Sequence, residues 1–324
     1  MRAAVSTRYG PPEVVRVVDI PDPAPGPGEV LVAVYATTVN RTDSAYRAAK
    51  PFFMRGLTGL RRPKRTVLGT EFSGEIVGVG DAVRSFVVGD RVFGYCEGRF
   101  GAHAQYLVGH ANSSMAKIPA GLEYEEVAAA TEGSHYARSA IRRAGVQPGH
   151  NVLVNGATGA IGSAAVQLLK TIDTSVTAVC RGEHFDLVRG LGTDHLIDYT
   201  TEDFTEVPGR YDVVIDAVET STFWRCRRIL QPTGVYVSSE LGPGGQNLGL
   251  ALVGSRVRKR RRVVFPYPDD NQSVVEEIRG HLLSGAFRPV VDRTYQLESI
   301  VEAYRYVETC NKVGNVVVTV PHEP

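Results

Sequence analysis

Residues Asn151 to Lys170 read NVLVNGATGAIGSAAVQLLK, and the fold of the chain turns on them. Val152, Leu153 and Val154 make the short apolar run of a strand buried on both faces. Gly156, Gly159 and Gly162 follow at every third position. Ala164, Ala165, Val166, Leu168 and Leu169 then supply one apolar helical face. In such a strand–turn–helix Gly156 permits the tight turn, Gly159 lets backbone N–H groups approach a pyrophosphate, and Gly162 brings helix and strand together. Thr158, Ala160 and Ile161 complete the turn. The new helix offers the anion its free N–H groups and its positive dipole end. The spacing is G-x-x-G-x-x-G rather than the commoner G-x-G-x-x-G, and a lone turn of this kind also reads as an ordinary strand-to-helix loop. What lies downstream favours a dinucleotide site.

Downstream, strand-like and helix-like segments alternate: SVTAVC (175–180), HFDLVRGL (184–191), HLIDY (195–199), DVVIDAV (212–218), TFWRCRRIL (222–230) and GVYVSS (234–239). Alternation of this sort predicts a parallel sheet with helices on both faces. Upstream, residues 1–118 are β-rich, with strands expected at RAAVST (2–7), VVRVVDIP (14–21), VLVAVYATTVN (30–40) and AHAQYLVG (102–109). Glycines at 69, 74, 78, 80 and 89 punctuate short strands, which suggests a barrel-like domain. Tyr124 to Ala144 reads as helical. After an amphipathic helix at 273–285, the end of the chain returns to strand, helix and strand. That tail is too small to fold alone and is expected to pack back on the first domain.

The totals narrow the function classes. The chain has 324 residues, 43% of them hydrophobic, enough for two cores. A formal net charge of +1 gives no global pull toward nucleic acid or membrane. Cys96, Cys180, Cys226 and Cys310 are scattered, with no C-x-x-C, so no disulfide framework or zinc knot is indicated. No leader and no bilayer-length apolar run is seen, and a cytoplasmic setting is expected. RVRKRRR (Arg256–Arg262) is the strongest local charge feature. It reads as a solvated turn into strand VVFPYP, or as a nucleic-acid or anionic-lipid patch, the latter not expected from the balanced charge.

Taken as an ordered set, several pieces resemble the medium-chain dehydrogenase/reductase superfamily in its zinc-free quinone oxidoreductase branch. They are GPPEV (10–14), PGPGEVLV (25–32), VNRTD (39–43), LGTEFSGEIVGVG (68–80), GDRV (89–92), the glycine turn, LGTDHLIDY (191–199) and KVGNVVV (312–318). The resemblance covers essentially the whole chain. It implies an α/β protein with a GroES-like β-rich catalytic domain (1–118 and 286–324), a doubly wound Rossmann NADP-binding domain (119–285) and a homodimer.

It also implies site residues. Zinc-dependent relatives carry Cys, His and Cys or Asp where this chain has Asn40, Thr70 and Glu132, so a metal-free site is expected. Without a Lewis acid the natural acceptors are already electrophilic: quinones, enones and enals. Arg181 closes the second strand where an NAD site has an acid, and suits the 2′-phosphate of NADPH, with His184 and Tyr199 beside it. Arg181 also reads as a solvated loop residue, and Glu183 complicates the loop. Thr131, Tyr136 and Ser238 are expected around the nicotinamide, and Asn315 among the cofactor-binding residues. Asn40 is a candidate to reach nicotinamide or substrate, or simply caps its turn. Tyr46 is a candidate active-site aromatic, displaced by one place from the family position, which falls on Ala45. Glu71 is expected as a buried, structural carboxylate. Glu132 and His135 share a helical face, and a Glu132-bonded imidazole is a candidate proton donor, against a capping carboxylate and a packed histidine. Two other functions stay open: a pathway-specific enone reductase of secondary metabolism, and an NADPH-binding structural or RNA-associated protein of the zeta-crystallin type. The acceptor itself is not legible.

Overall fold

The computed structural model describes residues 1–207, 209–239, 241–254, 260–267, 269 and 271–322. They form two compact units, Met1–Glu132 with Asp270–Ser284 and Arg288–Pro324, and Gly133–Asp269 with Gly285–Phe287.

The second unit is a six-stranded, all-parallel sheet in the order His195–Asp198, Ser175–Cys180, Asn151–Asn155, Tyr211–Asp216, Leu230–Ser238, Arg262–Val264. In chain order that is 3-2-1-4-5-6, the doubly wound arrangement. Its central strands are apolar at nearly every position because helices cover both faces: Val152, Leu153, Val154, Val213, Val214 and Ile215 are all essentially buried. The order reverses beside strand Asn151–Asn155, which puts the glycine turn at the topological switch point. Helix Ala160–Lys170 follows it, with Gly162 through Leu169 all buried. TFWRCRRIL yields only a short helix, Phe223–Cys226, capped by Thr222.

The first unit is mainly antiparallel. Strand Glu29–Val39 is its spine: its first half pairs with Tyr106–His110, its last residues with Asn315–Thr319, and most of its length with Glu71–Val79. Two register shifts, at Leu31/Val32 and Val34/Ala36, let one strand serve these partners. The tail contributes Val291–Gln296 and Asn315–Thr319, joined by helix Ile300–Glu308. Leu297, Ile300, Ala303, Tyr304 and Val307 sink into the same core as Val30, Val32, Phe72 and Ile76.

The two compact units divide at 132/133. Helix Tyr124–Ala128 packs on the β unit, where Ala128 and Ala129 cluster with Ala36 and Val317. Helix Gln272–Ser284, expected in the nucleotide domain, packs on strand Met115–Lys117, with Arg279 Nε donating to the Lys117 carbonyl at 2.9 Å. The helix expected over 124–144 is two helices, Tyr124–Ala128 and Glu132–Ala144. Among the described residues no helix is long and apolar enough to cross a membrane.

Candidate active site

The three glycines of the turn are not equivalent. Gly156 has φ +80°, and a Cβ there would lie 2.3 Å from Val218 Cγ1. At Gly162 a Cβ would meet the Gly156 carbonyl at 2.1 Å. The protein itself requires both glycines. Gly159 is extended (φ −72°, ψ 171°), and a Cβ there would find its nearest neighbour at an ordinary 3.5 Å. Nothing in the chain demands glycine at that point. It adjoins the start of helix Ala160–Lys170, whose first amides have no partner within the helix. The space is a cradle that a methyl group would fill, and it fits a pyrophosphate. Thr158, Ala160 and Ile161, the other expected residues of the turn, flank Gly159 in the chain. Helix Glu132–Ala144 begins against the same turn: a Cβ on Gly133 would come within 2.6 Å of the Ala160 carbonyl.

At the carboxyl ends of the central strands a buried knot fixes the rim. The Asp216 carboxylate accepts from Asn155 Nδ2 (3.0 Å), Tyr236 Oη (2.8 Å) and the Ser221 amide (3.3 Å). Burial pushes its pKa up, against the pull of those donors. Ser238, one of the expected nicotinamide residues, pairs in register with Asp216 and is buried. At the end of the neighbouring strand, Arg181 Nε donates to Tyr199 Oη at 2.8 Å. Glu183 lies 3.7 Å from Arg181 and 3.5 Å from His184. The fold therefore assembles Arg181, His184 and Tyr199 into one exposed corner, with Glu183 among them.

In the first unit a polar network runs under the start of helix Arg41–Ala48. Asn40 and Asp43 form a capping box: the Asp43 amide donates to Asn40 Oδ1 (2.9 Å) and the Asn40 amide to Asp43 Oδ2 (3.3 Å). Asn40 Nδ2 donates to Thr70 Oγ1 at 2.6 Å. Asp43 also accepts from the Gly69 amide, and burial pushes its pKa up to about 8. His103 Nε2 is 2.7 Å from the Thr38 carbonyl, which can only accept, so this nitrogen carries the proton. Nδ1 then accepts from Tyr304 Oη at 3.4 Å, and burial holds the ring's pKa down at about 4.

Glu71 is fully buried and caps a helix from outside it. Its Oε2 accepts from the Thr131 amide (3.0 Å), Thr131 Oγ1 (2.9 Å) and the Glu132 amide (2.6 Å), and its Oε1 from Thr38 Oγ1 (2.6 Å). Burial raises its pKa while these four donors lower it. The Glu132 carboxyl has one hydroxyl donor, Thr42 Oγ1 at 2.6 Å. Burial, and then the negative charge of Glu71, push its pKa well up. Lys312, its pKa lowered by burial, feels the fields of Glu132 and Glu71.

The structure places the other expected site residues as follows. The Glu132 carboxyl accepts from Thr42 Oγ1. His135 is buried. Asn40 is engaged as a cap and with Thr70. Tyr46 packs its ring on Phe100 at 4.6 Å, and burial raises its pKa. Asn315 Nδ2 donates to the Val290 carbonyl at 3.0 Å and closes the 290–315 turn. Tyr136 lies partly buried on helix Glu132–Ala144. Of the basic run, residues 256–259 lie outside the described residues, and Arg262 opens a strand.

The zinc positions do not fit zinc. An amide bonded to a hydroxyl, Asn40 to Thr70, stands where a thiolate and an imidazole would be needed. Among the described residues, no three His, Cys, Asp or Glu side chains are grouped to hold an ion.

Residues 26–120 match the alcohol dehydrogenase GroES-like domain family, and 191–318 the zinc-binding dehydrogenase family. A zinc-type alcohol dehydrogenase-like protein of Schizosaccharomyces pombe is 28% identical over 96% of this chain and 94% of its own. The chloroplastic NADPH-dependent alkenal/one oxidoreductase of Arabidopsis thaliana is 28% identical over 98% of this chain and 79% of its own. The quinone oxidoreductase structure from Coxiella burnetii superposes with a TM-score of 0.88 at 25% identity, covering 99% of each chain. The chain belongs to the quinone-oxidoreductase-like branch of the medium-chain dehydrogenase/reductase superfamily.

Membership explains why a chain matching a zinc-binding family lacks zinc ligands: the scaffold is shared and the ligand positions have been rebuilt as a hydrogen-bonded network. Much of that network was not read from sequence. Asn40-x-x-Asp43 is a capping-box pattern that could have been found. Thr38, Thr42 and His103 carry no local signal, since their partners Glu71, Glu132 and Thr38 lie 33, 90 and 65 residues away in the chain.

Proposed function

We propose that this protein is an NADPH-dependent reductase that delivers a hydride to a quinone or an α,β-unsaturated carbonyl without a metal. The observation that supports it most is the Asn40–Thr70 hydrogen bond at the zinc positions, in a chain with a complete dinucleotide turn. A site with no Lewis acid needs an acceptor that is already electrophilic. NADPH, when bound, supplies the hydride. The turn around Gly159 and the helix start behind it hold the pyrophosphate. Arg181, Tyr199 and His184 take the 2′-phosphate as a charge-assisted cluster. Thr131, Tyr136 and Ser238 are proposed around the nicotinamide, and Asn315 as a further cofactor-binding residue.

The oxyanion of a reduced enone needs a donor and then a proton. Asn40 and Glu132 are committed to Thr70 and Thr42. The Tyr46 hydroxyl makes no hydrogen bond among the described residues, and its raised pKa keeps the proton on until a strong base, such as an enolate, is present. Tyr46 is therefore the proposed donor and His135 the second candidate. A homodimer in the cytoplasm is proposed with them.

A panel of quinones, enones, enals and simple ketones, followed by NADPH and NADH oxidation, tests the reading. Turnover of the first three classes with NADPH is expected. Simple ketones as the best acceptors would overturn it. Absence of turnover together with salt-sensitive RNA binding would favour the non-catalytic alternative.

A further inference from the structure

A second feature lies at the opposite edge of the parallel sheet from the glycine turn. Arg210 immediately precedes strand Tyr211–Asp216, Arg228 and Ile229 precede Leu230–Ser238, and Arg261 precedes Arg262–Val264. These three strands are neighbours and run parallel, so residues before their first positions converge on one edge. There they line a hollow of about 370 Å³ formed by Arg210, Trp224, Arg227, Arg228 and Arg261. The six residues of strand Tyr211–Asp216 set this edge roughly 20 Å from the carboxyl edge, where the cofactor is proposed to bind.

The lining is fixed yet unneutralised at its centre. Arg261 Nε is anchored on the Leu230 carbonyl at 3.0 Å, and Arg210 donates to the Arg228 carbonyl. Among the described residues Arg227 makes no ion pair. Trp224 is 55% exposed although its ring rests edge-on against buried Phe223, 5.2 Å between centroids. An exposed indole among guanidinium groups costs hydration and does nothing for the core. It is what a planar ring with attached negative charge would use: stacking on the indole, charge-assisted bonds to the arginines. The positive surface is short. Glu206, paired with Arg228 at 2.9 Å, and Asp203, paired with Arg225 at 2.7 Å, border it. A long polyanion would run into those carboxylates, whereas a few linked phosphates would not.

We propose that this hollow is an effector site for a nucleoside polyphosphate, its base on Trp224 and its phosphates between Arg227 and Arg261. The site is separate from the hydride-transfer reading and does not depend on it. Trp224 is the sole tryptophan of the chain, so its emission reports on this site alone. The experiment titrates the whole protein with ATP, inorganic triphosphate and a single-stranded oligonucleotide.

ATP is expected to quench Trp224 saturably below about 1 mM, and inorganic triphosphate to compete without quenching. The double variant Arg227→Ala, Arg261→Ala should bind ATP about tenfold more weakly or worse, with calorimetric NADPH affinity unchanged. Should that variant fail to fold, Trp224→Leu followed by calorimetry makes the same test, with loss of ATP binding expected. No saturable ATP response, equal affinity in the variants, displacement of ATP by NADPH, or an oligonucleotide that binds more tightly than ATP would each overturn the proposal.

Discussion

Glu71 and Glu132 are buried carboxylates joined through one backbone amide, and the donors around them assign them opposite roles. Three donors converge on Glu71 Oε2, so an amide nitrogen cannot replace either oxygen without facing another N–H or O–H. Glu71→Gln is expected to cost about 1–3 kcal/mol in denaturant unfolding. Glu132 has a single hydroxyl donor, and burial, followed by the field of Glu71, raises its pKa and favours the neutral form. Glu132→Gln should therefore be neutral or stabilising at pH 7. A large loss there would show that Glu132 is ionised. His103 gives a pH signature. Its folded pKa, about 4, lies below the ordinary 6.5, so between these values the unfolded chain binds the extra proton. This component of stability is present above pH 6.5 and is lost as the pH falls toward 4. His103→Asn should remove that slope, measured as the difference in unfolding midpoint between pH 7 and pH 5. Little of this was legible in the sequence. The sequence predicts Glu71 as a buried carboxylate, but its donors come from residues about 30 and 60 positions away, and hydrogen bonds at that separation leave no periodic trace.

The glycine turn was the most legible element, because its strand, spacing and helix are consecutive in the chain. The structure adds a division of labour that spacing cannot give. Gly162→Ala and Gly156→Ala should destabilise the protein, since a Cβ collides with backbone at one and with Val218 at the other. Gly159→Ala should leave the melting temperature within about a degree of the parent and abolish NADPH binding, measured by calorimetry. Normal binding by Gly159→Ala would remove the pyrophosphate from that cradle. At the adjoining corner, Arg181→Ala should weaken NADPH on the order of tenfold and NADH little, because only the former carries the 2′-phosphate. The helix over 124–144 was read too long. Its alanine-rich run is compatible with a continuous helix, and the break at 129–131 is imposed by Glu71, which caps the second helix from a distant strand.

At the scale of the molecule, alternation of strands and helices was enough to predict the parallel sheet, and family resemblance supplied the GroES-like unit. Ala128, Ala129 and Gln272–Ser284 owe their place to packing partners far off in sequence, which leave no local signal. The whole fold serves one chemical claim, that this scaffold passes a hydride from NADPH to an electrophilic carbon with hydrogen bonds in place of a metal. Exhaustive chelation should accordingly leave turnover intact, and added zinc should not raise it. The most direct measurement incubates the chelator-treated protein with NADPH deuterated at the transferred C4 position and an enone, then analyses the product by NMR. The expected product carries one deuterium on the β-carbon and a solvent-derived proton on the α-carbon. Cofactor consumed without deuterium at the β-carbon, or label transferred only after zinc is restored, would contradict it.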